Sequence, residues 1–196
     1  MRLSKEQRDI LVGTVLGDAY LQATGKRNAR LRLEQGFKQK DYLLWKTKKL
    51  ASLFQGKAKY LERKHPLTKK IYRYWRHQSQ STPVLGALRL RFYKNGKKII
   101  PENIERYTTP LMLAVWYMDD GYYFRRDKTA YLYLGNVSRS EAEKLSEALD
   151  NKFDITSKVL AKKKGFALYF SGIETIKLSN LIKSHVIKSL SYKLPL

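Results

Sequence analysis

The sequence predicts an α+β fold of two pseudo-symmetric halves, each with the element order αββαββα, because three features occur twice in the same order. Each half opens with an apolar helical run that ends at an aspartate, Asp18 or Asp120. Strand-like and helix-like patterns then alternate. Each half closes with a lysine, Lys98 or Lys193, that shortly precedes a proline. The predicted halves are residues 1–98 and 99–196.

In the first half, Ser4 and Gln7 form a capping box before an apolar run at 10–21, which predicts a helix ending near Asp18. Two strands are expected after this helix, one of them at 29–35, and the remaining patterns predict strands at 57–64 and 70–78 and helices at 41–54 and 83–94. A turn-rich basic segment at 94–103 is the nearest the chain comes to a boundary.

In the second half, Thr109 and Pro110 predict the start of the helix that contains "LMLAVWYMDD". Ser138 and Glu141 form another capping box. The patterns that follow predict strands at 122–126, 130–137, 155–163 and 166–171 and helices at 140–153 and 173–188.

The charge of the chain indicates a polyanionic partner. Its 40 Lys and Arg against 17 Asp and Glu leave a formal charge of +23. Residues 1–98 hold 25 basic and 6 acidic side chains, whereas residues 99–196 hold 15 and 11. Nucleic acid is the leading candidate, and a solvated or ribosome-associated basic surface is the alternative.

Several site classes are excluded by composition. The chain has no cysteine and only three scattered histidines, so zinc fingers, cysteine nucleophiles and disulfide frameworks are ruled out, and a catalytic metal must rest on carboxylates. No apolar stretch reaches the roughly 20 residues that span a bilayer, and the N-terminus lacks an apolar signal region. We therefore expect an intracellular protein that acts in the compartment encoding it.

The two aspartates stand where a helix is least favourable to them, because the C-terminal end of a helix carries a partial negative charge. If the two helices pack about a pseudo-two-fold axis, Asp18 and Asp120 meet, and a divalent metal would relieve their repulsion. Gly13 and Gly17 would permit close approach, whereas the counterparts Val115 and Asp119 are bulkier, which predicts an asymmetric contact. The alternative for each aspartate is a turn residue that hydrogen-bonds a local amide.

Carboxylates and lysines in this arrangement suit the hydrolysis of phosphodiester bonds. Oxygen ligands hold Mg²⁺, the metal activates water and stabilises the leaving 3′ oxygen, and a lysine offsets charge in the transition state. Asp18, Asp120, Lys98 and Lys193 fit those roles, although matched lysines before prolines also arise by coincidence in a lysine-rich chain.

At these residues the sequence resembles the LAGLIDADG homing endonucleases of the single-chain, two-motif type. The motifs are "LVGTVLGDA", 11–19, and "LAVWYMDDG", 113–121, and each places the family's metal-binding acid at Asp18 or Asp120. The phrases "TPLMLAVWYMDDG" and "SYKLPL" also match family members. Asp119 is not a principal ligand in this family, and we expect it to have a local structural role.

The resemblance implies a saddle of two four-stranded antiparallel sheets across the major groove, with the motif helices at the central interface. It implies that Mg²⁺, replaceable by Mn²⁺, is bound by Asp18 and Asp120 with the adjoining Ala19 and Gly121. Lys98 and Lys193 match the family's active-site lysines. Polar residues beside the metals are expected at Gln35 and Asn136.

Alternation along the strands predicts a sheet face where Arg reads base edges and Lys contacts phosphates. An ordinary solvated strand face is the alternative for each residue. If the protein neutralises about 10 phosphates, a plot of log K for DNA binding against log[salt] should have a slope near −9, which we call the salt slope. The acidic helix at 140–153 is expected on the side remote from DNA. The candidate DNA-contacting residues are Arg30, Arg32, Lys57, Lys59, Arg63, Arg73, Trp75, Arg125, Lys158, Lys162 and Lys164.

The resulting expectation is a monomeric endonuclease that cuts both strands of a long double-stranded DNA site, leaves 3′ overhangs and promotes intron mobility. An intron RNA maturase on the same fold, with host intron RNA as its partner, is one alternative. A DNA-binding regulator without cleavage activity is another. The presence of both acids and both lysines favours the nuclease, because a pure binder has no need of carboxylates near phosphates.

Overall fold

A computed structural model of the protein describes residues 2–195, which contain six α helices and ten strands. The helices are α1 (Lys5–Leu16), α2 (Lys40–Lys49), α3 (Pro83–Phe92), α4 (Pro110–Asp120), α5 (Arg139–Phe153) and α6 (Gly172–Ile182). The strands are β1 (Tyr20–Ala23), β2 (Ala29–Gly36), β3 (Lys59–Lys64), β4 (Ile71–Gln78), β5 (Tyr93–Lys94), β6 (Lys97–Lys98), β7 (Gly121–Phe124), β8 (Thr129–Gly135), β9 (Lys158–Lys162) and β10 (Gly165–Phe170). The predicted α+β class and the doubled αββαββα order are confirmed.

Backbone contacts divide the described chain into two units. The first unit holds Arg2 and residues 18–90, and the second holds residues 3–17 and 91–195, so α1 belongs with the C-terminal elements. The sequence division at residue 98 stays a prediction about duplicated halves.

Each unit contains one four-stranded antiparallel sheet of the same topology. The strand order is β1-β2-β4-β3 in the first unit and β7-β8-β10-β9 in the second. Helix α2 packs on β2 and β4, while α5 and α6 pack on the second sheet. We call the sheet face turned away from these helices the outer face. The short β5–β6 hairpin overlaps the predicted boundary segment.

Helices α1 and α4 pack directly on one another inside the second unit. Every residue from Ile10 to Leu16 in α1 and from Met112 to Met118 in α4 is buried. Gly13 makes the close approach possible, because a Cβ built on it would lie only 2.8 Å from the Cβ of Val115. A Cβ on Gly17 would lie 2.7 Å from the Cβ of Asp119. The predicted asymmetry of small against large residues is confirmed.

The predicted helix starts are confirmed by hydrogen bonds. Ser4 and Gln7 form both bonds of a capping box, and so do Ser138 and Glu141. The Thr109 side chain accepts a bond from Met112 N, with proline at the first helical position.

Three of the boundaries that differ from the predictions are places where an apolar run continues beyond the element. The apolar run at 10–21 is not one element, since Gly17 caps α1 and Tyr20 begins β1. The predicted helix at 41–54 ends at Lys49 and continues as a 3₁₀ turn at Ala51–Leu53. The last helix ends at Ile182 rather than 188, because the chain tightens into a 3₁₀ turn at Lys183–His185 and then becomes extended at Val186. Apolar residues continue past each end, so periodicity alone overshoots.

We expect Gly13→Ala to lower the free energy of unfolding by about 1–3 kcal/mol, since the added methyl overpacks the contact with Val115. Urea denaturation measures the effect. Gly172→Ala is the matched control, because its Cβ would meet only Lys128 O at 3.6 Å, an ordinary contact in the first turn of α6. Equal stability of the two variants would mean that the α1–α4 contact has room to spare.

Candidate catalytic centre and nucleic-acid interface

The two candidate acids stand at equivalent places in the chain. Asp18 directly follows Gly17, the C-cap of α1, and is exposed. Asp120 is the last residue of α4 and is half-buried. The C-cap after it, Gly121, must be glycine, because a Cβ there would lie 2.5 Å from the ring of Tyr117. Ala19 and Gly121, the residues that follow the two acids, are both buried.

Each candidate lysine binds the end of one motif helix. Lys98 Nζ donates to the carbonyl of Leu16, at 3.3 Å, and to that of Gly17. Lys193 Nζ donates to the carbonyls of Met118, at 2.6 Å, and Asp119, at 3.0 Å.

In both cases the acceptors are the two carbonyls immediately before the aspartate. Each ammonium group therefore offsets the negative end of a helix dipole at the point where a carboxylate is also held. These bonds place the positive charge of each lysine next to one candidate acid in the chain.

A cleft of about 330 Å³ in the second unit brings three candidate residues together. Asp120, Lys98 and Asn136 all line it, from α4, β6 and the segment after β8. Gly17 contributes backbone to the same cleft. In the first unit, buried Gln35 lies on β2 with its Nε2 3.5 Å from Asp18 Oδ2. Gln35 therefore lies beside Asp18, whereas Asn136 shares a cleft with Asp120.

The donor chemistry fits a hard divalent cation. Carboxylate and backbone oxygens are the ligands that Mg²⁺ and Mn²⁺ prefer. Within residues 2–195 no cluster of three or more His, Asp or Glu side chains could hold a metal alone. Asp18 and Asp120, with the backbone of Ala19 and Gly121, stay the predicted metal ligands.

Tyr117 supports Lys193 from the interior of α4. Its hydroxyl donates to the Lys193 carbonyl at 3.0 Å, and the side chain is almost wholly buried. Burial, reinforced by nearby Tyr123, raises the pKa of Tyr117, so the phenol keeps the proton that it donates. The sequence analysis missed this residue, because nothing in the motif distinguishes it from an ordinary core aromatic.

The outer face of the first sheet is strongly basic. Strand register pairs Tyr20 with Arg32, and Glu34 with Arg76, so these side chains share one face. Lys59 is paired with Arg76 on the other side. Alternation places four of the candidates on this face: Arg30, Arg32, Lys59 and Arg63.

Two other candidates lie on the opposite face, and their expected face is therefore corrected. Trp75 is paired with the buried Gln35, and Arg73 is two residues away on the same strand. Lys40 of α2 lies over the Trp75 ring at 4.3 Å, which confirms that this face is the helix side. The outer face instead bears Arg76 and Tyr74, which the sequence analysis missed. Both faces of β4 are basic and aromatic, so only its pairing partners reveal which set points outward.

The remaining candidates lie on or beside strands. Lys158 and Lys162 are on β9, while Lys57 precedes β3, Arg125 follows β7 and Lys164 lies in the β9–β10 turn.

Glu34 organises the basic face of the first sheet. Its carboxylate accepts bonds from Arg32 Nε at 2.8 Å and Arg76 Nε at 2.5 Å. Burial raises the pKa of Glu34, but the bonds and charges of the two guanidinium groups outweigh it, so the pKa is lowered. The arginines are thereby held in fixed poses.

A profile of the LAGLIDADG DNA endonuclease family matches residues 8–178. The chain belongs to the LAGLIDADG DNA endonuclease family. The match includes both motif helices and both sheets, so the resemblance seen in the two motifs is confirmed.

Two curated relatives cover almost the whole chain. The probable intron-encoded endonuclease 1 of Wickerhamomyces canadensis is 29% identical over 98% of this chain and 85% of its own length. The cytochrome b mRNA maturase bI2 of Debaryomyces hansenii is 28% identical over 98% of this chain and 74% of its own length.

Solved structures agree with this assignment. The homing endonuclease I-WcaI, solved bound to its DNA recognition sequence, superposes with a TM-score of 0.92 at 26% identity and covers 100% of this chain and 88% of that one. I-DmoI, solved with DNA and Mn, shares the fold with a TM-score of 0.53 at 16% identity, covering 93% of this chain and 99% of that one. The LAGLIDADG chain described here is a homing endonuclease that acts on DNA.

We expect Glu34→Gln to weaken the dependence of protein stability on pH in the acidic range. A carboxylate whose folded pKa is lowered contributes stability above its unfolded pKa, and this is lost as pH falls through the folded value. The wild type should therefore lose stability more steeply than the variant below about pH 4.5. Thermal unfolding across a pH series measures this, with Glu143→Gln, which breaks an exposed pair with Arg139, as the control. Parallel profiles for wild type and Glu34→Gln would contradict the role of the two arginines.

Removing the Tyr117 hydroxyl should loosen Lys193. For Tyr117→Phe we expect a loss of about 1 kcal/mol in unfolding free energy and slower DNA cleavage with unchanged DNA affinity. Single-turnover cleavage and binding titrations separate the two effects. Tyr123→Phe is the control on the neighbouring strand. A variant that cleaves at the wild-type rate would show that Lys193 is held without this bond.

Proposed function

We propose that this homing endonuclease hydrolyses both strands of a specific long DNA site with Mg²⁺, using Asp18 and Asp120 as metal-binding carboxylates. The matched lysine bonds at the two helix ends carry the proposal. Each lysine places an ammonium group at the helix end next to a candidate metal-binding carboxylate, and an anionic phosphate bound there would be stabilised by that positive charge.

The residues of the chain divide the work. A bound divalent cation supplies Lewis acidity to the scissile phosphate and to a water molecule. Lys98 and Lys193 hold the helix ends in place and offset negative charge developing on the phosphoryl oxygens. Gln35 orients Asp18, and Asn136 offers an amide to the cleft that Asp120 lines.

The outer sheet faces bind the duplex in this proposal. Basic side chains of the first sheet contact phosphates and guanine edges. Because most of the excess charge lies in residues 1–98, that half supplies the larger share of salt-dependent affinity.

The biological setting follows from the same proposal. Cleavage leaves 3′ overhangs and promotes mobility of the intron that encodes the chain, in the compartment where it is made. One chain carries both aspartates, so it acts as a monomer, and Mn²⁺ replaces Mg²⁺. None of the helices between residues 2 and 195 is long and apolar enough to cross a membrane.

A second candidate function is assistance of intron RNA splicing. The similarity to a protein named as a cytochrome b mRNA maturase, over 98% of this chain, supports it. A splicing assay with the host intron RNA tests it separately, because maturation needs no cut in DNA.

Asp18→Asn and Asp120→Asn should each abolish double-strand cleavage and leave DNA affinity within about tenfold, since each removes a metal-binding charge without changing side-chain size. The substrate is duplex DNA spanning the insertion site without its intron, incubated with Mg²⁺ or with EDTA. Product bands on denaturing gels report each strand.

Asp119→Asn is the matched control. Its side chain packs beside Gly17 rather than being assigned to metal, so cleavage should persist. No Mg²⁺-dependent cut by the wild type would overturn the nuclease proposal. Loss of folding in the Asp18 and Asp120 variants, seen by circular dichroism, would give these acids a structural role instead.

A further inference from the structure

The outer face of the second sheet combines a row of aromatic side chains with Lys158 and Lys162 of β9. Tyr122 is paired with Tyr131, and Tyr131 with Tyr169, so the three lie in one row across β7, β8 and β10. Alternation adds Phe124 and Tyr133 to the same face. The opposite face carries the fully buried Leu132 and Leu168.

Strand register allows the two outer faces to be compared position by position. Arg32 opposite Tyr20 corresponds to Tyr131 opposite Tyr122, since each lies on the second strand beside the first. Two residues further along, the matched rows differ completely in chemistry. The first sheet has Glu34, Arg76 and Lys59, and the second has Tyr133, Ala167 and Leu160.

This apolar row, Tyr133–Ala167–Leu160, is held by its neighbours. The Tyr131 and Tyr133 rings stack with centroids 6.0 Å apart, and Tyr169 lies 5.2 Å from Tyr131. Lys162 Nζ lies 4.5 Å from the centre of the Tyr131 ring, so the nearby positive charge rests on an aromatic face. The row itself has no ionic group, and Lys158 and Lys162 lie on either side of Leu160 on the same face of β9.

The major groove offers one apolar feature to such a row, which is the 5-methyl group of thymine. Arginine and lysine at the matched positions of the first sheet suit guanine and phosphate instead. We propose that the second sheet recognises its half of the DNA site through thymine methyl groups packed on Tyr133 and Leu160, which flank the fully buried Ala167. This inference rests on the proposed function, because it requires the outer face to lie on DNA.

The first step of the test identifies the bound sequence and its polarity. Selection of cleaved or bound duplexes from a random-sequence pool by the full chain yields the site. The chain has no cysteine, so Lys163→Cys in the β9–β10 turn takes a single iron–EDTA label, and radical cleavage marks the half-site under the second sheet. Failure to select any site would count against the proposed function itself.

The decisive comparison replaces thymine with deoxyuridine in one half-site at a time, which removes only the methyl groups. In the half under the second sheet we expect binding to weaken about fourfold for each methyl that is contacted, the effect of exposing one methyl-sized group. In the other half the same replacement should change binding by less than about twofold. Normal binding with no effect of deoxyuridine in the second half would overturn the proposal, including the case in which this face binds RNA or protein instead.

A pair of register-matched variants separates methyl recognition from general binding. Leu160→Ala should reduce the ratio of the affinity for thymine-containing DNA to the affinity for deoxyuridine-containing DNA. It should leave the salt slope unchanged. Lys59→Ala, at the matched position of the first sheet, should leave that ratio unchanged and reduce the salt slope by about one. Because each ratio is measured within one protein preparation, partial unfolding of a variant cancels. Equal ratios for Leu160→Ala and wild type would contradict the role of the row.

Discussion

The packing of α1 against α4 is the contact on which the candidate centre depends. Gly13 in α1 and Gly17 at its C-cap have no side chains at the places where Val115 and Asp119 project from α4, so the two backbones approach closely. The ends of both helices are thereby held in one unit, and the chain leaves α1 directly into Asp18. Asp119 thus has a packing role that explains why two aspartates stand together in "YMDDG".

The lysines act on the same helix ends from elsewhere in the chain. Lys98 comes from a hairpin and Lys193 from a C-terminal 3₁₀ turn, yet both donate to the carbonyls one and two residues before an aspartate. The supports differ, since Tyr117 anchors the backbone of Lys193, while strand pairing with Tyr93 places Lys98. Equivalent chemistry is therefore reached through unequal local structure.

The two sheets share one topology but present different surfaces. The first exposes guanidinium groups ordered by Glu34, and the second exposes stacked tyrosines. The imbalance of formal charge between the halves has its structural counterpart on these faces. Under the proposed function, salt-dependent affinity comes mainly from the first sheet, and discrimination through apolar contacts comes from the second.

The sequence by itself determined the class of fold, the order of its elements, the helix caps and the family, because these depend on local periodicity, capping residues and short motifs. It also singled out Asp18, Asp120, Lys98 and Lys193. The faces of Arg73, Trp75 and Arg76 were decided only by the tertiary structure, since β4 is polar and aromatic on both sides and its register is set by pairing with β2 and β3. The same holds for Tyr117, whose hydroxyl gains its partner from a residue 76 positions away in the chain. Residues so far apart in the chain leave no local sequence pattern, so their contact can be recognised only in the folded structure.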